Sequence, residues 1–387
     1  MKIPYFRFKP AGNELKYFKE VLESGWLTSS SKAIKLEESF KEKLGVAYAL
    51  SVNSCTSALH LALEALEVNK DSNILLPTWT FAATAEVVEY LNANPIFCDV
   101  DIESCNITPK ILQDVLDKGI KIDVLLLVHF GGRSAILHNE QKEGLIDLCI
   151  KNNIKIVHDA AHAFPASFKG RMVGSFSDIT CFSFYANKTI TSGEGGMVVT
   201  DDEEFFKRMK LMRLHGIDRD AWDRFTSVSN KNEYDIVDAG FKYNMPDINA
   251  AIALAQFEKA DELKEKRISI AQRYLSEFRS IESLTMPSCN GDISEHSWHL
   301  FNPVLKRNKF ISREDILNKL QEKGIGTSLH YKPLHRMTFY REKYNLSKND
   351  FPNSEEIWAG CFSLPIFPDL QEEEQSYIID AVKEILS

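Results

Sequence analysis

Lys188 sits in a stretch, residues 181–196, that reads CFSFYANKTITSGEGG. Two apolar residues alternate with Ser183 ahead of the lysine, β-branched residues follow it, and glycines at 193, 195 and 196 close the stretch. That pattern holds a lysine at the end of a strand, over a backbone that must turn tightly. Removed from water, such an amine can be neutral and nucleophilic at a pH where an exposed lysine is charged. The same residues also describe a surface lysine beside an ordinary turn, and the stretch alone leaves both readings open.

Asp159 lies 29 residues earlier, in His158-Asp159-Ala160-Ala161-His162, where another strand is expected to end. A carboxylate and a lysine placed at two strand ends suit pyridoxal phosphate, with the lysine in a Schiff base and the aspartate on the pyridinium nitrogen. The carboxylate keeps that nitrogen protonated, so the ring accepts the electrons released when a C–H bond breaks. A strand-end aspartate that only caps a nearby helix is the plain alternative. Residues 53–57, Asn-Ser-Cys-Thr-Ser, join a short apolar run to a helix start. Open amides and the positive end of a helix dipole would make an anion site there, although such residues serve as simple N-caps in most proteins.

The elements that must position these groups alternate along the chain. Strands are expected at 48–52, 74–77, 95–99, 124–128 and 155–157, with helices at 58–66, from about 80, at 110–116 and from about 141 to 152. This alternation predicts right-handed βαβ units and a mostly parallel sheet, in which ligands bind beyond the carboxyl ends of the strands. Further helices are expected at 14–23, 36–44 and 202–214, with 29–31 in a loop. A long periodic stretch from 247 to about 278 reads as a helix joining two lobes. Beyond it the pattern is α+β, with a strand-like run at 298–304 and a helix near 313–323. The division is set at residue 255, giving a large domain of 1–255 and a smaller one of 256–387.

Composition narrows the function class. The 387 residues are 44% hydrophobic and 26% charged, with a formal net charge of -9 and no basic stripe. Nucleic-acid binding is therefore not expected. The seven cysteines form no CxxC pair or metal-ligand cluster, so reduced thiols, no metal site and a cytoplasmic setting are expected. Residues 1–14 lack an apolar signal core, and the longest apolar runs are far too short for a membrane span.

Taken together, the motifs resemble the DegT/StrS family of nucleotide-sugar aminotransferases across nearly the whole chain. The matching segments are SGWLT at 24–28, NSCTSALHLAL at 53–63, PTWTFAATA at 77–85, NPIFCDVD at 94–101, HDAAHA at 158–163 and SFYANKTITSGEGGMVVT at 183–200. They continue with KYNMPDINAAIAL at 242–254, SWHLF at 297–301, GIGTSLHYKPLH at 324–335 and SLPIFP at 363–368. The resemblance implies an α/β protein of the aspartate aminotransferase fold, fold type I: a mostly parallel seven-stranded sheet in the large domain and a smaller α+β carboxyl-terminal domain.

It also implies roles. Lys188 matches the family's catalytic Schiff-base lysine and Asp159 its pyridinium partner. Thr56, Ser57 and Ser183 match the residues that hold the cofactor phosphate, Phe81 the aromatic stacked on the ring, and His162 a polar residue beside the ring hydroxyl. Asn244 matches an asparagine that reaches the phosphate from the neighbouring subunit of a homodimer. His330 is implied to line the sugar pocket, while for Trp222 and Arg224 two readings stay open, a contact to the nucleotide diphosphate or the ordering of a loop. Without the resemblance, Phe81 reads as core, His162 and His330 as structural histidines, and 221–224 as a loop.

Two positions depart from the family pattern: Cys55 stands where many relatives have glycine, and Ser30-Ser31 replaces the usual glycine-proline pair. A dehydratase branch of the fold has histidine in place of the lysine, so Lys188 favours transamination. The details of 215–224, 242–254 and 324–331 resemble most the branch acting at C4 of UDP-linked 4-keto sugars, of the UDP-4-amino-4-deoxy-L-arabinose type. The reaction so implied runs in two stages: L-glutamate leaves as oxoglutarate, and the amine then passes to a 4-keto, or 4-keto-6-deoxy, nucleotide sugar used in cell-surface glycans. A C3 aminotransferase acting on a dTDP-3-keto-6-deoxy sugar shares the same cofactor motifs. A cofactor-binding scaffold without turnover, or an elimination or desulfuration on the same fold, are readings of other classes.

Overall fold

The computed structural model describes residues 1–138, 143–176, 178–218, 234–306 and 311–386. Helices α1 (Glu14–Ser24) and α2 (Ser31–Leu44) each end at a glycine, Gly25 and Gly45, in the left-handed conformation, which a residue without Cβ adopts freely. Strand β1 (Tyr48–Val52) feeds α3 (Cys55–Ala65), and β2 (Asn73–Pro77) leads to α4 (Ala83–Tyr90). Next come β3 (Asn94–Cys98), α5 (Pro109–Leu116), β4 (Val124–Val128), α6 (Leu145–Lys151) and β5 (Lys155–Asp159). A small hairpin, β6 (Ser167–Phe168) with β7 (Arg171–Met172), precedes β8 (Ile179–Ser183), β9 (Gly196–Thr200) and α7 (Glu203–Met212).

These strands form one seven-stranded sheet in the order β1-β9-β8-β5-β4-β2-β3. Neighbours are parallel except around β9, which runs antiparallel to both β1 and β8. Val52, Pro77, Val128, Asp159 and Ser183 therefore end their strands along one edge of the sheet. The central strands are apolar throughout, with all five residues of β4, β8 and β9 buried, as a sheet covered on both faces requires. Gly196 is forced by packing: a Cβ there would lie 2.8 Å from the backbone of Ser54 and from the Phe182 carbonyl. The glycine lets β9 come close to the loop that opens α3.

The expected long helix after residue 247 is two helices, α8 (Asp247–Phe257) and α9 (Ala260–Glu277). At the junction Glu258 accepts hydrogen bonds from Tyr17 Oη at 2.6 Å and Asn13 Nδ2 at 2.8 Å, which tie the break to α1. Position 255 lies inside α8. The carboxyl-terminal part holds the short pair β10 (Leu284–Thr285) and β11 (Val304–Leu305), then α10 (Arg313–Glu322), α11 (Thr338–Lys343), α12 (Pro352–Gly360) and α13 (Glu372–Leu386). Its core packs Tyr274, Phe278, Trp298, Phe301, Phe362 and Phe367 together with Ile3.

Residues 298–303 are not the strand their apolar pattern predicts. Trp298 has φ of 50°, and the segment instead follows Gly131 and Gly132, whose carbonyls accept from Leu300 N and Ser297 N. Helix α2 likewise begins earlier than expected, with Ser31 in its first turn and Ser30 as its N-cap. Among the described residues no helix is long and apolar enough to cross a membrane.

Candidate active site

The strand ends converge on a cleft of about 580 Å³ whose wall includes Thr56, Phe81, Asp159, His162, Ser183, Lys188 and His330. Seven of the residues singled out by sequence thus meet in one place. Lys188 follows β8 by five residues, and its amide donates to the Tyr185 carbonyl at 2.9 Å. Loss of water around its amine outweighs the pull of Cys55 and Asp159 and brings its pKa down to about 8. It is neither a solvated surface lysine nor a fixed cation.

Asp159, the last residue of β5, is buried. Its Oδ2 accepts from Thr84 Oγ1 at 2.8 Å and its Oδ1 from Ala161 N at 3.1 Å. Burial nevertheless pushes this carboxyl up, against those hydrogen bonds and the charge of Lys188. Among the described residues no cation lies at ion-pair distance from it, and Lys188 acts on it only from farther off, so the carboxylate has donors but no paired counter-charge. A protonated ring nitrogen is the chemistry that would supply one.

Helix α3 supplies the anion end. Ser54 caps it by accepting from Ser57 N at 3.1 Å, and the Ala58 amide reaches the Ser54 carbonyl. The amides of Cys55 and Thr56 have no intrahelical acceptor, and both residues line the cleft. Ser57 itself does not line the cleft. Its Oγ donates to Asn53 Oδ1 at 2.6 Å and lies 2.9 Å from Ser54 Oγ, so its contribution is to stiffen the loop. Ser183, which pairs with Gly196 beside the Ser54 backbone, accepts from Tyr185 N at 3.3 Å through its Oγ. Cys55 opens α3 with a thiol held well above its ordinary pKa by burial and by Asp159, which leaves it a small neutral side chain.

Phe81 is not core: it is 58% exposed at the cleft mouth, 5.6 Å from the Tyr331 ring. His162 Nδ1 accepts from Gly131 N at 3.2 Å, and its Nε2 lies 2.9 Å from Tyr331 Oη. With Nδ1 occupied as an acceptor, Nε2 carries the proton and donates to the tyrosine oxygen, and burial keeps the imidazole neutral. Tyr331 then has its own proton free for a group in the cleft. The sequence reading passed over Tyr331 although it adjoins His330, and it also passed over Thr84, the third threonine of 77–85. His330 is buried, with Nδ1 at 2.8 Å from Ser363 Oγ, and burial brings its pKa down to about 3.

Asn244 is not in this cleft. Its Nδ2 donates to Ser29 Oγ at 2.8 Å and its Oδ1 accepts from Lys242 Nζ at 2.5 Å. Ser29 Oγ in turn donates to the Met245 carbonyl at 2.5 Å, and Asp247 accepts from the amides of Ser30, Lys32 and Ala33. The Ser30-Ser31 segment is therefore ordered by its neighbours in the 242–247 turn. Trp222 and Arg224 lie outside the described residues.

Comparison with known proteins defines the class first. PseC of Helicobacter pylori, an aminotransferase involved in the biosynthesis of pseudoaminic acid, superposes with a TM-score of 0.88 at 27% identity, over 100% of this chain and 99% of that one. Spr1654 of Streptococcus pneumoniae, assigned as a sugar aminotransferase and solved in its PLP-form, gives a TM-score of 0.87 at 27% identity, with both chains fully covered. The fold is that of the fold type I aminotransferases. Residues 10–383 match the DegT/DnrJ/EryC1/StrS aminotransferase family model, and the chain belongs to that family. SpsC of Bacillus subtilis, a spore coat polysaccharide biosynthesis protein, is 35% identical over 99% of this chain and 97% of its own length.

Proposed function

We propose that this protein uses pyridoxal 5'-phosphate to move an amino group from L-glutamate to C4 of a nucleotide-linked 4-keto sugar, as a homodimer, in cell-surface glycan biosynthesis. One observation carries the reading: a buried carboxylate without an ion-paired partner faces the same cleft as a lysine whose pKa burial brings down to about 8. The residues fit the cofactor. Asp159 would hold the ring nitrogen, Thr56, Ser183 and the open α3 amides its phosphate, and Phe81 one face of the ring. His162, through Tyr331, would border the ring hydroxyl. The bound cofactor supplies an electron sink for the substrate's reacting carbon.

Lys188 Nζ would take the proton from the α-carbon of glutamate and deliver one to the sugar carbon in the second stage. A group titrating near neutrality is efficient in both directions. The large domain, 1–255, carries these groups, and the smaller, 256–387, adds His330 and Tyr331 on the sugar side. The partner subunit's Asn244 would complete the phosphate site. The C4 position is supported by the likeness of 242–254 and 324–331 to that branch, and the glycan role by the kinship with SpsC.

The test is an absorbance titration of the cofactor-loaded enzyme. L-glutamate should change the cofactor's spectrum, and one 4-keto sugar from a panel of UDP-, dTDP- and GDP-linked 3-keto and 4-keto sugars should restore it. Restoration by a 3-keto sugar alone would move the reaction to C3. No response to glutamate would overturn the donor, and no response to any sugar would overturn the acceptor class.

A further inference from the structure

A second cavity, of about 180 Å³, lies beside Lys188 and shares only that residue with the large cleft. The segment 6–11, the first turns of α9 and the turn at 368–369 enclose it, and Arg267 is part of its wall. Arg267 is 1% exposed. Its Nη1 donates to the carbonyls of Ile366, Trp298 and His299 at 2.7, 3.2 and 3.4 Å, while its Nε has no partner. Among the described residues no carboxylate pairs with it. Arg208, Arg213 and Arg336 each have one, in Glu64, Glu37 and Glu355.

The acids in the cavity wall are already engaged. Asp369 takes Lys9 at 2.7 Å and Arg7 at 3.6 Å, and Glu262 takes Lys266 at 2.9 Å. Burial lowers the Arg267 pKa to about 10, so the guanidinium stays charged at neutral pH. A buried cation without a counter-ion is unfavourable. Its unused edge offers parallel N–H donors, the fork that matches a carboxylate.

Resting on the aminotransferase reading, we infer that Arg267 is the receptor for a carboxylate of the amino-acid donor, held in this cavity beside Lys188. The two reactants of the exchange differ in size and charge, yet each must bring its reacting carbon to the same amine. Separate walls meet that demand. The small cationic cavity suits a dicarboxylic amino acid, and the 580 Å³ cleft has room for a sugar nucleotide.

Glutarate, a dicarboxylate without an amine, tests the receptor apart from turnover. Calorimetric titration of the holoenzyme should show glutarate binding, weakened at least tenfold in Arg267→Gln and partly recovered in Arg267→Lys. Half-saturating L-glutamate should rise by a similar factor, while half-saturation by the keto sugar stays unchanged. Equal glutarate affinity in wild type and folded Arg267→Gln would overturn the inference. If the variants fail to fold, diffraction from wild-type crystals grown with glutarate decides: a carboxylate on Arg267 supports the receptor, and one bound elsewhere refutes it. A wild type that binds glutarate at Arg267 but whose cofactor ignores glutamate would overturn the aminotransferase reading and leave the anion receptor standing.

Discussion

Asp159 and Lys188 are held in environments that disfavour their usual charges, and each has a measurable consequence. The folded pKa of Asp159 is raised, so the stability tied to its proton is complete below the unfolded value of about 3.9 and is lost as pH rises through the folded one. In the cofactor-free protein at neutral pH, Asp159→Asn should therefore stabilise by on the order of 1 kcal/mol, while weakening cofactor retention. Thr84 Oγ1 also lies 2.7 Å from Thr80 Oγ1, so its hydroxyl can turn to accept from the new amide. Melting curves at pH 7 and pH 4 check this: the gap should shrink at the lower pH, and an apo variant less stable at pH 7 would contradict it. Lys188 is shifted the other way, from an ordinary 10.5 to about 8. Acylation of the cofactor-free protein, followed residue by residue by mass spectrometry, should label Lys188 with a midpoint near pH 8, whereas exposed lysines follow about 10.4. A Lys188 midpoint above 10 would remove the case for a desolvated amine. Both residues were legible because their neighbours in sequence give a strand end and a tight turn. Tyr331, Thr84 and Arg267 matter through contacts with residues far away in the chain, and no local pattern carries that information.

At the scale of elements, Asp247 joins two segments that the sequence keeps far apart. It opens α8, is 2% exposed, and accepts from Ser30 N at 2.7 Å, Lys32 N at 3.0 Å and Ala33 N at 3.1 Å. It thus caps α2 from outside, where Ser30 makes no side-chain cap of its own. Asp247→Ala leaves three amides short of an acceptor, two of them buried with it. The expected cost is about 2 kcal/mol, with faster proteolysis between 24 and 33. Asp247→Asn retains the oxygen that serves Ser30 and Ala33, so about half of the loss should return; a melting temperature unchanged by either substitution would refute the cap. This contact also explains why 29–31 reads as loop in the sequence yet helps to begin a helix: the acceptor comes from 214 to 217 residues away. The parallel strands were readable within one or two residues because they are continuous apolar runs between helical patterns. The 298–303 segment misled for the opposite reason: Trp298 and Phe301 fill the smaller lobe's core, and the segment pairs through an isolated bridge from Phe301 to Leu364, not as a continuous strand.

For the whole molecule, the question is whether one chain holds a complete site. At the mouth of the cleft Phe81 is 58% and Tyr185 49% exposed, large rings left open to solvent beside polar groups. Asn244, on the 242–247 turn, bonds Ser29 and Lys242 and stays off the cleft wall. If it serves a phosphate, that phosphate belongs to a second copy, as the proposed homodimer requires. Hybrid dimers decide this by arithmetic. Lys188→Ala should abolish turnover, and Asn244→Ala should weaken cofactor binding about tenfold or more, the scale of a lost hydrogen bond to a charged group. Mixing the two variants under conditions that exchange subunits pairs the intact Lys188 of one chain with the intact Asn244 of the other. One site in each hybrid is then wild type, and at limiting cofactor activity should recover towards half that of the wild-type dimer per hybrid. Were Asn244 to act within its own chain, every site in the mixture would carry one of the two lesions, and no activity beyond that of the separate variants would appear.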